Sequence, residues 1–205
     1  ANGETYKYSD EDMQMGGSVQ STQDGRIVAV IGGHNYKSGD LNKATVKQQP
    51  GSSIKPILDY GMAYKYLDWC TGHTVKDEPI EAGIKNWDNQ FHGTMTISEA
   101  LENSWNIPAY TTFQEVKKVA GSKNLTEDLE SLGIDMSDQD PDLPDSYAIG
   151  GWSTGVSPVE MAGAYATVAN NGKYIESHTV NYIEVAKDNE TIKVDEQLQK
   201  KATNS

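Results

Sequence analysis

The chain has 205 residues, and its 17 basic against 30 acidic side chains give a formal net charge of −13, which excludes the basic surfaces that nucleic acid and anionic membranes require. It is long enough for one domain with a real core, yet it holds no run near the roughly 20 apolar residues of a membrane span, and the opening ANGETYKYSDEDMQMGG lacks the layout of a signal peptide. One cysteine, Cys70, excludes a disulfide framework and a thiolate metal site, and His34, His73, His92 and His178 are scattered without ligand spacing, so each is expected to be structural or solvent-exposed and neither metal nor cofactor is expected.

Residues 1–17 are polar enough to form a lead-in, followed by a single domain over 18–205. SVQSTQDGRIVAVIGG places two β-prone runs around Asp24-Gly25, a hairpin signal, and Arg26 to Ile31 reads as a buried strand. A hydrophilic loop, GGHNYKSGDLNKA, leads to QPGSSIKPILDYG. There the Pro50-Gly51 break predicts a helix starting near Ser52, with Pro56 tolerated in its first turn and Ile57, Leu58, Tyr60, Met62 and Ala63 forming an apolar flank. Side chains three apart share a helix face, so Ser52 and Lys55 stand together. A serine hydroxyl is a poor nucleophile until a neighbour takes its proton, and a lysine can do so once desolvation leaves it partly neutral. An ordinary cap beside a solvated lysine gives the same four letters, so the pattern needs partners.

TISEALENS carries a capping box from Thr96 to Glu99 and predicts a short helix ending near Ser104. Pro108 opens another helix running to about Ala120, and residues 124–132 form a third, stopped by Gly133. Between the first two, NSWNIPA sets Ser104 and Asn106 on either side of Trp105, where a loop can aim both polar side chains into a cleft. SPVEMAGAYATVANNG has Ser157 as N-cap, Pro158 first, Glu160 third and Gly172 as the stop. HTVNYIEVAKDNETIKV reads as a hairpin turning at Asp188-Asn189. Strands at both ends with helices between predict an α+β fold, in which the terminal hairpins share one antiparallel sheet flanked by helices.

In order, S-x-x-K at Ser52, S-x-N at Ser104 and the phrases DGRIVAVIGG, NWDNQFHGTMTISEALENSWNIPA and IGGWSTGVSPVEMAGAYATVANNGKY resemble the transpeptidase domain of class A penicillin-binding proteins, the bifunctional peptidoglycan synthases, over nearly the whole chain. That resemblance implies the penicillin-binding-protein and serine β-lactamase-like fold. It implies Ser52 as nucleophile, Lys55 as its base, Ser104 as a hydroxyl relaying a proton to the leaving amine, and Asn106 as a hydrogen-bonding group for substrate and Lys55, with Trp105 as a substrate contact. The implied reaction is DD-transpeptidation of D-Ala-D-Ala stem peptides, with β-lactams acylating the same serine and one oxyanion donor from the Ser52 N–H. It also implies a bacterial cell-wall enzyme at the outer face of the cytoplasmic membrane, held by an anchor outside this chain.

The resemblance is incomplete. The third motif, K-[ST]-G, belongs on a strand after the second, whereas this sequence has KSG only at Lys37 to Gly39, in the hydrophilic loop. The domain is therefore expected to be truncated, with a further polypeptide segment supplying that motif. Two alternatives stay open. A serine β-lactamase would use Asp140 of DPDLPD to hold a hydrolytic water, although Pro144 stands where an amide is wanted. A β-lactam sensor or pseudoenzyme would keep the same serine and lysine as a binding module.

Overall fold

The computed structural model describes residues 13–185, 190–193 and 199–201. The predicted hairpin forms as β1 (Gly17–Gln20) and β2 (Ile27–Ile31), antiparallel with Ser18 opposite Val30. Gly25, at φ +73°, takes the left-handed conformation that closes its turn. Burial is the correction: Val28, Val30 and Ile31 are exposed, because among the described residues the ribbon has two strands and its helix packing falls chiefly on β1.

After the loop, a helical stretch begins as a 3-10 turn, Gly51–Ile54, opens into a π turn, Pro56–Gly61, and regularises as α1 (Met62–Tyr66). Pro56 lacks an N–H, so the backbone ladder is interrupted there and tightens before it and widens after it. The predicted apolar flank is fully realised: Ile57, Leu58, Tyr60, Met62 and Ala63 are all buried. Ile54, Ile57 and Leu58 enter the larger core with Phe113, Leu125, Tyr147 and Trp152. Tyr60 enters a second core with Val75, Ile97 and Trp105. The stretch that carries Ser52 and Lys55 is thus clamped between two cores.

β3 (Thr74–Asp77) and β4 (Gly93–Thr96) form a second ribbon, with Asp77 opposite Gly93. β4 runs into α2 (Ile97–Glu102), where the Thr96 side chain accepts the Glu99 N–H. α3 (Asn106–Ser131) is two helices joined at Gly121, whose φ of 76° and ψ of 152° are not helical, which matches the two predicted segments. A 3-10 turn, Asp145–Ile149, precedes α4 (Pro158–Ala169), whose capping box between Ser157 and Glu160 is complete.

The chain continues into β5 (Lys173–Ile175), then the antiparallel pair β6 (Tyr182–Val185) and β7 (Glu190–Lys193), and β8 (Gln199–Lys201) pairs with β5. The predicted last hairpin exists, while its turn at Asp188-Asn189 lies outside the described residues. The fold is α+β, but among the described residues the strands make four two-stranded sheets. The terminal hairpins do not share one sheet; a single bridge between Arg26 and His178 links the first hairpin to the chain ahead of β6.

Candidate active site

The entry to the nucleophile turn is fixed by backbone contact. Gln48 and Val156 exchange hydrogen bonds of 3.2 and 2.8 Å, and Gly51 enters the 3-10 turn at φ +56°. Gly150 and Gly155 have φ of +86° and +96°, and a Cβ on either would overlap the backbone of Gly51 or Gln48. Tyr165 of α4 donates to the Ser53 carbonyl at 2.7 Å. The phrase IGGWSTGV is therefore the brace of the turn that presents Ser52, and two of its glycines are required by close approach.

Side chains three apart eclipse in a 3-10 helix, more closely than in an α-helix. Ser52 is exposed and Lys55 fully buried, and the Lys55 N–H donates to the Ser52 carbonyl. As the second residue of the turn, Ser52 has an N–H without an intrahelical acceptor, free to face a developing oxyanion. Lys55 Nζ donates to the Ser104 carbonyl at 2.8 Å, Ser104 Oγ at 3.3 Å, the Trp105 carbonyl at 3.4 Å and Asn106 Oδ1 at 2.8 Å. Burial pulls its pKa down from the usual lysine range to about 8, and the charge of Asp59 opposes that fall. That shift leaves the Lys55 amine neutral for a larger fraction of the time near neutral pH than an exposed lysine.

Asp59, one turn further on, is fully buried, and neither carboxyl oxygen has a hydrogen-bond partner among the described residues. Burial pushes its pKa well above the ordinary carboxylate value, with Lys55 opposing. Burial therefore favours its protonated form beside Lys55.

The S-x-N loop is a helix terminus of defined type. The Ser104 N–H donates to the Leu101 carbonyl and the Trp105 N–H to the Ala100 carbonyl, both at 3.0 Å. These are the paired bonds of a Schellman motif, which demands a left-handed residue between them. Ser104 fills that place at φ +56° where glycine is usual. Trp105, extended at φ −62° and ψ 133°, then caps α3, so Ser104 and Asn106 both turn toward Lys55.

The structure brings together Lys55, Ser104 and Asn106 beside the Ser52 turn. It does not present the Trp105 ring as a substrate contact: that ring is 6% exposed, stacked at 3.9 Å on His92 and at 5.5 Å on Trp87. Lys37 to Gly39 lie in an exposed turn in which Asp40 Oδ2 accepts the Lys37 N–H at 2.7 Å. Asp140 Oδ1 accepts the Asp142 N–H at 3.0 Å, which commits that carboxylate to its own surface turn.

Sequence reasoning missed a second cluster behind the loop. Asp77, fully buried, receives Asn86 Nδ2 at 2.9 and 2.7 Å and the His92 N–H at 2.9 Å, and His92 Nδ1 lies 2.8 Å from its Oδ2. Asn86 Oδ1 accepts the Asn106 N–H at 2.9 Å. No local pattern announces this, since the residues are spread from β3 to α3; the only sequence signal is the place of Asn86 and His92 within the stretch NWDNQFHG.

The model of the penicillin binding protein transpeptidase domain matches residues 15–205. Penicillin-binding protein 1A/1B of Bacillus subtilis (strain 168) is 38% identical over 181 residues, 85% of this chain and 19% of that protein. Penicillin-binding protein 1A of Streptococcus oralis is 31% identical over 196 residues, 88% of this chain and 30% of that protein. The chain thus spans less than a third of the length of these curated relatives. Penicillin-Binding Protein 1A from Haemophilus influenzae superposes with a TM-score of 0.69 at 27% identity, covering 82% of this chain and 25% of that one. The fold is also that of the PonA1 protein from Mycobacterium tuberculosis in complex with penicillin V, at a TM-score of 0.74 and 20% identity, over 94% of this chain and 54% of that one.

Proposed function

The chain belongs to the penicillin-binding protein transpeptidase family, and from that membership we propose that it forms the nucleophile-bearing part of a serine DD-transpeptidase cross-linking peptidoglycan stem peptides. The observation that carries this reading is the buried Lys55 amine, held by Ser104 and Asn106 at the end of the 3-10 turn that carries Ser52.

In this reading neutral Lys55 takes the Ser52 Oγ proton as Oγ attacks the carbonyl carbon between two D-alanines. The oxyanion forms against the Ser52 N–H. The tetrahedral intermediate collapses with cleavage of the C–N bond, and the proton passes from Lys55 through Ser104 Oγ to the departing D-alanine amine. Asn106 orients the substrate amide while keeping Oδ1 on Lys55. An amine from a second stem peptide then attacks the ester, loses its proton to Lys55 and restores Ser52. β-Lactams open at Ser52 by the same first step and leave no amine to depart. A seat for the substrate carboxylate, which the family resemblance assigns to K-[ST]-G, is proposed to come from a further segment. The catalytic domain is proposed to face the cell exterior on a separate anchor; among the described residues no helix is long and apolar enough to cross a membrane.

The test is peptide mapping and intact mass of the full-length protein after incubation with penicillin G. A single adduct on Ser52, absent in Ser52→Ala, is expected, and an adduct that survives that substitution contradicts the assignment. The adduct is expected to persist for many minutes, because Asp140, the candidate to hold a hydrolytic water, uses Oδ1 to accept the Asp142 N–H and Pro144 stands where an amide is wanted. Rapid turnover that collapses in Asp140→Asn would make the protein a β-lactamase.

A further inference from the structure

Asn106 can serve Lys55 only if its backbone is held while its side chain reaches into the site. The holding contacts come from outside the cleft. The Asn86 amide accepts the Asn106 N–H at 2.9 Å and the Ile107 N–H at 3.4 Å through Oδ1. Its Nδ2 donates to both Asp77 oxygens and to the Gln90 carbonyl at 2.9 Å. Asn86 is 3% exposed, so its orientation is set by these partners and not by water. Only one amide rotamer meets both demands: an acceptor toward α3 and a donor toward Asp77. The Asn106 Nδ2, for its part, donates to the Lys85 carbonyl at 2.9 Å, which leaves Oδ1 to face Lys55.

The same carboxylate controls the other side of the loop. Asp77 Oδ2 accepts the His92 N–H at 2.9 Å and faces Nδ1 at 2.8 Å, while Nε2 lies 3.1 Å from Asp88 Oδ2. The imidazole held between these two carboxylates stacks at 3.9 Å on Trp105, the residue between Ser104 and Asn106. Trp87 stacks on the same ring and donates Nε1 to the Asn103 carbonyl at 3.1 Å.

We propose that Asp77 is a positioning residue for acyl transfer: through Asn86 it fixes the backbone of Asn106, and through His92 it fixes Trp105, so that Ser104 and Asn106 meet Lys55. Resting on the acyl-enzyme reading of Ser52, the inference gives a carboxylate that never touches substrate control over the acceptor set of the base. A misplaced positioning contact of this kind costs roughly 10- to 100-fold in rate. It also removes the Asn106 acceptor from the Lys55 ammonium, which disfavours the charged form and moves the lysine's titration to lower pH.

The experiment measures the second-order rate of acylation by a fluorescent penicillin against pH in the full-length wild-type protein and in Asp77→Asn, normalised to folded protein by thermal unfolding. Wild-type labelling that disappears in Ser52→Ala secures the acyl-enzyme reading independently of Asp77; wild-type protein that never labels overturns that reading and this inference with it. Given labelling, Asp77→Asn is expected to lower the plateau by roughly 10- to 100-fold and to shift the acid limb to lower pH. His92→Phe, at a part-exposed position that retains the ring stack, is expected to move both in the same direction by less, and it decides the matter if Asp77→Asn does not fold. An acid limb that stays at the wild-type position in the folded variant overturns the inference, because a purely structural loss scales the amplitude and leaves the limb in place.

Discussion

Asp59 and Asp77 are both fully buried, yet they live under opposite conditions. Asp77 is surrounded by donors from Asn86 and His92, whereas neither oxygen of Asp59 has a partner among the described residues. A carboxyl group surrounded by donors recovers in hydrogen bonds what it loses in hydration, and it then becomes a fixed point on which other groups are hung. An unpartnered one has no such compensation, and burial raises the Asp59 pKa accordingly. Burial alone therefore does not decide what a carboxylate does; its donors do. Asp77 organises the loop from behind, and Asp59 shapes the electrostatics beneath Lys55.

The largest expected effect falls on the group between them. Lys55→Met removes the base and should lower the Ser52 acylation rate by on the order of 1000-fold, read by labelling with a fluorescent penicillin; a fall of only a few-fold would remove the reason for treating Asp59 as a tuning group. The two aspartates then separate by stability. Asp77→Asn turns an amide N–H toward donors and should cost about 2 to 3 kcal/mol in urea unfolding at neutral pH, while Asp59→Asn copies a neutral acid and should cost nothing or stabilise by about 1 kcal/mol. Equal losses in both variants would break the comparison.

The pH dependence sharpens it. A carboxyl with a raised native pKa holds its proton in the folded state after the unfolded chain has lost it, so its contribution to stability is present below the unfolded value and declines as pH rises. The advantage of Asp59→Asn over wild type should accordingly grow from pH 4 to pH 8, and a constant difference across that range would show that Asp59 is ionised in the fold. The smallest effect concerns the loop that joins the two sites. Ser104→Gly relieves the left-handed backbone that Ser104→Ala retains, so the glycine variant should be more stable by about 1 kcal/mol in urea unfolding, although both lack the hydroxyl and both should acylate slowly.

The active-site spine was legible because its cues are local. S-x-x-K after Pro50-Gly51, S-x-N between two helices and the Ser157 capping box each lie within a few residues, where spacing translates directly into a shared face or a cap. What escaped had non-local causes. Arg26 to Ile31 reads as a buried strand, and Val28, Val30 and Ile31 are exposed because, among the described residues, helix packing falls chiefly on β1. The expectation that the terminal hairpins share one sheet rests on the order of elements along the chain, which says nothing about which edges meet. Pro56 at the start of a helical turn is legible in the sequence, but the switch from 3-10 to π geometry around it is not. Trp105 was expected to touch substrate and is instead buried against His92, a contact between residues 13 positions apart that no periodicity encodes. Asp77, Asn86 and Asn106 meet only after β3, its following loop and α3 have come together.

At the centre of the proposed mechanism is a lysine whose burial lowers its pKa toward neutrality. The most direct measurement is an NMR titration of the Lys55 side chain, following its 13Cε resonance in selectively labelled full-length protein, with Lys55→Arg to assign the signal. A midpoint at about 8, little changed in Asp59→Asn because burial favours the neutral form of Asp59, is the predicted result. A resonance that keeps the shift of a charged amine up to the ordinary lysine range would contradict it, and with it the role of Lys55 as the group that takes the proton of Ser52.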